Sequence, residues 1–379
     1  VIISFFIENY RCSVVLKSHN SPLKAIGLPP DVDTRLEQLQ GWLAARLGTG
    51  AYALKPASAD ASFRRYFRVT TDDARSWIAM DAPPEREDCR PFVRVAALLR
   101  AAGVNAPQVI AQDLARGFLL LTDLGDTTYL SVLNEANVDR LFDDAIEALI
   151  KWQLASREGE LPPYDEALLR RECNLFPEWY VARHLALRLS SAQQQALSDT
   201  VALLISRSLA QPAVFVHRDY MPRNLMVSEP NPGVIDFQDA VLGPISYDLV
   251  SLTRDAFVSW EEARVIDWAA RYWDKAQQRG LPVDPDFSEF YRDFEWMGLQ
   301  RHLKVLGIFA RIHYRDGKSG YLEDTPRFLN YARAVAGRYR ELAPLARLIE
   351  QLEARQPALM GNGTGKSPHE SDDPRRRAR

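Results

Sequence analysis

With 379 residues, 46% hydrophobic and 26% charged, the chain has an ordinary globular composition and enough length for more than one core. Its 47 basic and 50 acidic residues leave a formal charge of −3, so no basic footprint recommends nucleic acid or an acidic membrane surface as a partner. Cys12, Cys89 and Cys173 are scattered and form no CxxC pair, which reads as free thiols in a reducing, cytoplasmic compartment. No apolar run approaches the ~20 residues that span a bilayer. The start carries no secretory pattern, and it begins with Val1 rather than Met. Residues 1–30 therefore read as an extension of doubtful relevance, from a fragment end or an over-extended gene start.

After Pro29-Pro30-Asp31, Val32, Leu36, Leu39, Leu43 and Leu47 recur at helical spacing, with Gly48 as a stop. Phe63, Phe67 and Val69 alternate with Arg64, Tyr66 and Arg68 as in a half-buried strand, and Trp77–Asp81 is a second short run before Pro83-Pro84. Phe92, Val95, Leu99 and Ala102 share a helix face closed by Gly103 and Pro107, and strands fit 108–111 and 117–122. The order helix, three strands, helix, two strands fills residues 31–122. From Thr127 the pattern turns helical, with one stripe at Val138, Leu141, Ala145, Leu149 and Trp152. Another runs through Phe287, Phe290, Phe294, Met297, Arg301 and Val305. Only 214–216, 225–227 and 234–237 read as strands there. The expectation is an α+β chain with a small strand-rich lobe (31–122), a helical lobe (123–355) and a disordered tail (356–379).

The strongest chemical signal is His217-Arg218-Asp219-Tyr220-Met221-Pro222-Arg223-Asn224, followed by Ile235-Asp236-Phe237. Phosphoryl transfer needs a carboxylate to take a hydroxyl proton and oxygen ligands to hold Mg²⁺ on the phosphates. Asp219 suits the first role, and Asn224 with Asp236 the second, because Mg²⁺ prefers hard oxygens and retains water. The H-x-D-x₄-N and I-D-F spacing matches the kinase catalytic loop and metal aspartate. His217 reads as support for the loop rather than as a chemical participant. Asp248, expected early in a helix with Pro244 near its first turn, either braces the loop through backbone N–H groups or sits there as a helix N-terminal carboxylate. Asp239 is left unassigned. The glycine-rich Gly361–Ser367 string fails as a P-loop, since Met360 occupies a required glycine position; Gly317-Lys318-Ser319 fails likewise at Ile312.

His217–Asn224 and Ile235–Asp239 resemble the aminoglycoside phosphotransferase and choline kinase superfamily. Further strings are similar to the bacterial anomeric kinases of cell-wall amino sugars, which phosphorylate C1 of N-acetylmuramate and N-acetylglucosamine: Ala61–Arg68, Met80–Pro84, Leu121–Asp126, Phe176–Tyr180 and Val234–Leu252. The resemblance covers roughly residues 32–350. It implies a two-lobed protein-kinase-like fold, ATP, Mg²⁺, a small amino-sugar substrate and a place in peptidoglycan recycling. It also implies that Leu119–Asp123, with Leu121 and Asp123, forms the adenine hinge. Ser62, Phe63, Arg64 and Arg65 would cover the phosphates without a G-x-G-x-x-G, and Glu178 and Trp179 would meet the sugar. Pro177 equally suits a helix start beside a core Trp.

One departure stands out: the run Ile78-Ala79-Met80-Asp81 lacks the strand lysine of kinases. An arginine would have to replace it, or the chain is a nucleotide-binding pseudokinase that serves as an interaction module. An aminoglycoside or other small-alcohol kinase is the rival of the same class. A protein kinase is disfavoured because Phe237 is followed by Gln238 and no A-P-E segment appears.

Overall fold

Asp33 accepts the N–H of Leu36 and starts helix α1 (Thr34–Leu47), which stops at Gly48. The structure, a computed structural model, describes residues 33–48, 52–58, 63–318 and 320–354. The expected extension 1–30 and tail 356–379 lie outside these residues, as do Cys12 and the Gly361–Ser367 string. Strands β1 (Tyr52–Ser58), β2 (Arg65–Thr71) and β3 (Ser76–Asp81) are followed by helix α2 (Cys89–Ala101). Then come β4 (Val109–Asp113) and β5 (Phe118–Thr122), and the five strands form one antiparallel sheet ordered β1-β2-β3-β5-β4.

Alternation along the strands gives the sheet two faces. Val69, Ala79, Phe118 and Leu120 pack with Leu39, Trp42 and Leu43 of α1. Arg68, Ile78 and Leu121 are aligned across β2, β3 and β5 on the other face. The bend at Gly117 requires glycine: its φ is 73°, and a Cβ would lie 1.8 Å from the carbonyl oxygen of Ala82.

Asp81 ends β3 fully buried, opposite Arg65 in the register. Arg65 Nε reaches Asp81 Oδ2 at 2.9 Å, Arg35 Nε of α1 reaches Oδ1 at 2.9 Å, and Arg65 also pairs with Asp33. The helix cap, the helix and the strand end are thus tied together by two arginines on the α1 face.

The chain divides into two compact units. One holds the described residues up to Tyr164 together with Leu209–Phe294; the other holds Asp165–Ser208 and the described residues from Glu295. In the first unit the sheet is followed by helices α3 (Tyr129–Val132) and α4 (Val138–Leu154). The expected stripe Val138, Leu141, Ala145, Leu149 and Trp152 is buried. Phe142 packs on Trp268 at 4.6 Å and Trp152 on Phe215 at 4.7 Å. The second unit begins with helix α5 (Glu166–Leu175), which runs directly into a π-helical stretch, Phe176–His184, and then helix α6 (Ser191–Ala210), whose last residues fall in the first unit. In the first unit β6 (Ala213–Val216) pairs with β9 (Val241–Pro244), and β7 (Leu225–Met226) with β8 (Gly233–Val234). Helices α7 (Tyr247–Thr253) and α8 (Glu262–Gln278) complete it. Helix α9 (Phe287–Asp316) crosses into the second unit, followed by α10 (Thr325–Arg338) and α11 (Ala343–Ala354).

Two expectations are corrected. The run 234–237 is strand only at its first residue, because Asp236 takes a φ of 69° that no strand accommodates. Pro244 closes strand β9 rather than opening a helix; α7 starts at Tyr247.

Breaking a buried ion pair costs roughly 3–5 kcal/mol when a charge is stranded. Here the arginines left behind are 26% and 36% exposed and would regain water, so Asp81→Ala is expected to lower unfolding free energy by about 2 kcal/mol. Urea denaturation measures this, and a loss below about 0.5 kcal/mol would place the arginine pair among ordinary surface ion pairs.

Candidate active site

The loop between β6 and β7 is held from beneath by Asp248, a fully buried residue in the first turn of α7. Its Oδ2 accepts the N–H of His217 at 2.6 Å and its Oδ1 that of Arg218 at 3.0 Å. These two donors have no strand partner where the chain leaves β6. Arg218 adopts a φ of 75°, a left-handed conformation costing an L-residue about 1–2 kcal/mol. That reversal turns Asp219 out of the core, and it is half-buried.

His217 is buried and bonded at both ring nitrogens. Nε2 lies 3.0 Å from the carbonyl oxygen of Ile235, while Nδ1 accepts the N–H of Asp219 at 3.3 Å. With Nδ1 acting as acceptor, Nε2 carries the proton. Burial pushes its pKa down to about 4, against the opposing charge of Asp219, so the ring is neutral at physiological pH. Tyr220 anchors the next position by donating from its hydroxyl to the carbonyl of Ala145 at 2.7 Å.

The short β7–β8 hairpin brings the far ends together. Leu225 faces Val234, and Ile235 N–H donates to the carbonyl of Asn224 at 3.1 Å. Asn224 Nδ2 therefore reaches Asp236 Oδ2 at 3.2 Å and the carbonyl oxygen of Asp219 at 2.9 Å. The amide oxygen of Asn224 is left for another partner. Gln238 donates from Nε2 to Asp236 Oδ1 at 3.2 Å, while its Oε1 is buried with no hydrogen-bond partner among the described residues. Asp239 stands nearby with its pKa raised, chiefly by burial, against the nearby charges of Arg218 and Arg64.

This donor set fits Mg²⁺: a carboxylate and an amide oxygen are hard ligands, and an orphaned amide oxygen adjoins them. Among the described residues no three His, Cys, Asp or Glu side chains cluster as a metal cage. An ion held by Asn224 and Asp236 would complete its shell with phosphate oxygens and water, as Mg²⁺ commonly does.

The remaining site expectations fall out unevenly. Ser62 lies outside the described residues. Phe63 is 51% exposed beneath the Arg86 guanidinium, 4.5 Å from its ring centre. Arg64 is buried and close enough to Asp239 to influence its acidity. Arg65 is held by Asp33 and Asp81 on the α1 face, so its charge is engaged in the fold rather than offered to phosphates. Leu121 is buried between β3 and β4. The Asp123 side chain accepts from Arg68 Nε at 2.7 Å and from Gly125 N–H at 2.9 Å, shaping the turn after β5. In the second unit Glu178 is exposed and Trp179 half-buried on the π-helical stretch, so neither the helix start nor the core Trp is realised. Pro177 cannot donate into a regular α-helix, and the widened turn occurs around it. Sequence reasoning overlooked Arg68 and Gln238. Arg65 and Arg68 stand three apart in the strand, so its alternation sets them on opposite faces; what the sequence did not give was their partners, Asp81 and Asp123.

Residues 53–285 match the model of a phosphotransferase enzyme family, and the chain belongs to that family. Across 335 residues it is 54% identical to the N-acetylmuramate/N-acetylglucosamine kinase of Pseudomonas putida, covering 86% of this chain and 98% of that protein. The protein of the same name from Neisseria meningitidis is 52% identical over 319 residues, covering 83% of this chain and 95% of the relative. Among solved structures, the GDP complex of aminoglycoside 2'-phosphotransferase-IIIa aligns with a TM-score of 0.58 at 14% identity, over 81% of this chain and 100% of that one. Plasmodium vivax ethanolamine kinase aligns at 0.55 and 9% identity, over 79% and 84%. At such identities these neighbours speak for the fold alone, which is protein-kinase-like and α+β.

The neutral His217 has a consequence for stability. The unfolded residue titrates near 6.5 and the folded one near about 4, so the unfolded chain binds more protons between those values. The contribution is complete above pH 6.5 and is lost as pH falls through 4, by an order of about 3 kcal/mol. Urea midpoints should decline across that window, and the decline should flatten in His217→Gln; an unaltered slope in that variant would exclude His217 as its source.

Proposed function

We propose that the chain is an ATP-dependent kinase of amino sugars that phosphorylates the anomeric hydroxyl of N-acetylmuramate and N-acetylglucosamine in peptidoglycan recycling, a cytoplasmic process. The observation that carries the reaction type is the meeting of Asn224 with both Asp236, at 3.2 Å, and the Asp219 backbone, at 2.9 Å. The acceptor is supported by relatives bearing that name at 52–54% identity over 83–86% of the chain.

In this reading the Asp219 carboxylate accepts the proton of the acceptor hydroxyl. The acceptor oxygen forms its bond to the γ-phosphorus as the bond to the β-phosphate oxygen breaks, leaving ADP. Asn224 and Asp236 would hold Mg²⁺, which when bound neutralises phosphate charge. An anomeric hydroxyl is more acidic than an ordinary alcohol, so an unexceptional carboxylate suffices as base. The adenine would meet the backbone at Asp123 beyond Leu121. Ser62, Phe63 and Arg64 would cover the phosphates, and buried Arg64, beside Asp239, replaces the missing strand lysine. Glu178 and Trp179 would bind sugar hydroxyls and a sugar face.

Asp219→Asn is expected to reduce kcat by about 10²–10⁴-fold with an unchanged urea midpoint and retained nucleotide binding. Chelation of Mg²⁺ should abolish turnover, and readdition should restore it. The panel must include both sugars, an aminoglycoside and choline. Turnover confined to the aminoglycoside would replace the acceptor assignment, and Mg²⁺-dependent ATP binding without turnover on any acceptor would favour the non-catalytic module.

A further inference from the structure

The segment after β8 folds back on Asp236. Ala240 N–H donates to the carbonyl of Phe237 at 3.0 Å, closing a turn through Gln238 and Asp239. Phe237 is fully buried and packs on Phe92 of helix α2, with ring centres 4.8 Å apart, which pins the start of that turn. Arg218, directly before Asp219 in the chain, brings Nη1 to 3.5 Å from the carbonyl oxygen of Asp239. Between these anchors Gln238 turns its amide back on Asp236, Nε2 to Oδ1 at 3.2 Å. All of these residues belong to the first unit.

The Asp236 carboxylate is thus held at both oxygens: Asn224 Nδ2 lies 3.2 Å from Oδ2 and Gln238 Nε2 lies 3.2 Å from Oδ1. An amide donor on each oxygen fixes the plane of the group. The orientation of the Gln238 amide follows from its surroundings, because reversing it would set Oε1 against the carboxylate. Asp239 favours the same orientation: burial raises its pKa, and Gln238 is among the groups that oppose the rise by favouring its charge. As a piece of the fold Gln238 gains little, since its Oε1 is buried with no hydrogen-bond partner among the described residues. An unmet buried acceptor costs stability, and an apolar side chain of the same length avoids that cost. Mg²⁺ demands near-ideal octahedral geometry, so a carboxylate with a fixed plane binds it more tightly than one free to rotate.

We propose that Gln238 is a positioning residue for Asp236, holding that carboxylate in the orientation that takes Mg²⁺ and so setting the affinity for the metal. Its part is played through Asp236 and not on the acceptor. The inference rests on the reading of Asn224 and Asp236 as metal ligands above.

The test titrates ADP calorimetrically into the full chain, with EDTA and over a range of Mg²⁺ concentrations, for wild type, Gln238→Met and Gln238→Asn. Methionine keeps the length and apolar body of the side chain but donates nothing. In Gln238→Met the Mg²⁺ concentration that half-maximally tightens ADP is expected to rise about ten- to a hundredfold, with ADP affinity in EDTA within about twofold of wild type. The Mg²⁺ requirement for turnover should rise by the same factor, and saturating Mg²⁺ should restore most of the lost rate. Its urea midpoint in EDTA is expected at or above that of wild type, an outcome that a merely structural role forbids. Gln238→Asn, whose amide is drawn back by one methylene, should give an intermediate shift, and it decides the question alone if the methionine variant does not fold. An unchanged Mg²⁺ requirement, equal losses of ADP affinity with and without Mg²⁺, or a rate that saturating Mg²⁺ leaves depressed would overturn the assignment. No effect of Mg²⁺ on ADP binding in wild type would remove the metal reading itself and the inference with it. The expected shift in Mg²⁺ requirement, found together with no turnover on any acceptor, would uphold Gln238 and remove the kinase reading.

Discussion

The two oxygens of Asp248 decide where the catalytic loop goes. They take the consecutive N–H groups of His217 and Arg218 in a fully buried setting, where each charge-assisted bond is worth about 1.5–3 kcal/mol. That exceeds the ~1–2 kcal/mol cost of the left-handed conformation at Arg218. Without the carboxylate, the two N–H groups would be orphaned and the reversal unsupported, and Asp219 would have no fixed direction. The second left-handed residue, Asp236, is held from both sides of its own neighbour: Ile235 donates to Asn224 and accepts from His217. One strained position immediately precedes Asp219 and the other is Asp236 itself, so both fall at groups that the proposed function assigns to chemistry.

His217 shows why the familiar tripeptide need not mean histidine catalysis. One ring nitrogen faces a carbonyl and the other faces an N–H, a pairing only the neutral ring satisfies. Protonation would set two donors against each other at Nδ1, inside a site where burial already opposes charge. The ring is a spacer between the loop and the segment carrying Asp236, and half-buried Asp219 is the group that the proposed function makes the proton acceptor.

How much of this was legible in the sequence follows from range. That Asp219, Asn224 and Asp236 would come together was readable because they lie within one loop and one hairpin. The helical stripe of α4 was readable because its period is local. Strand β9 escaped because its Gly-Pro ending resembles a turn, and only pairing with β6 makes it a strand. The pairing of Arg65 with Asp81 escaped for the same reason: the two are sixteen residues apart, and strand pairing alone sets them opposite each other. The absent strand lysine then has a structural counterpart. Where kinases carry that lysine, this strand ends in an aspartate held by Arg35 of α1 and Arg65 of β2, so the position is committed to the fold.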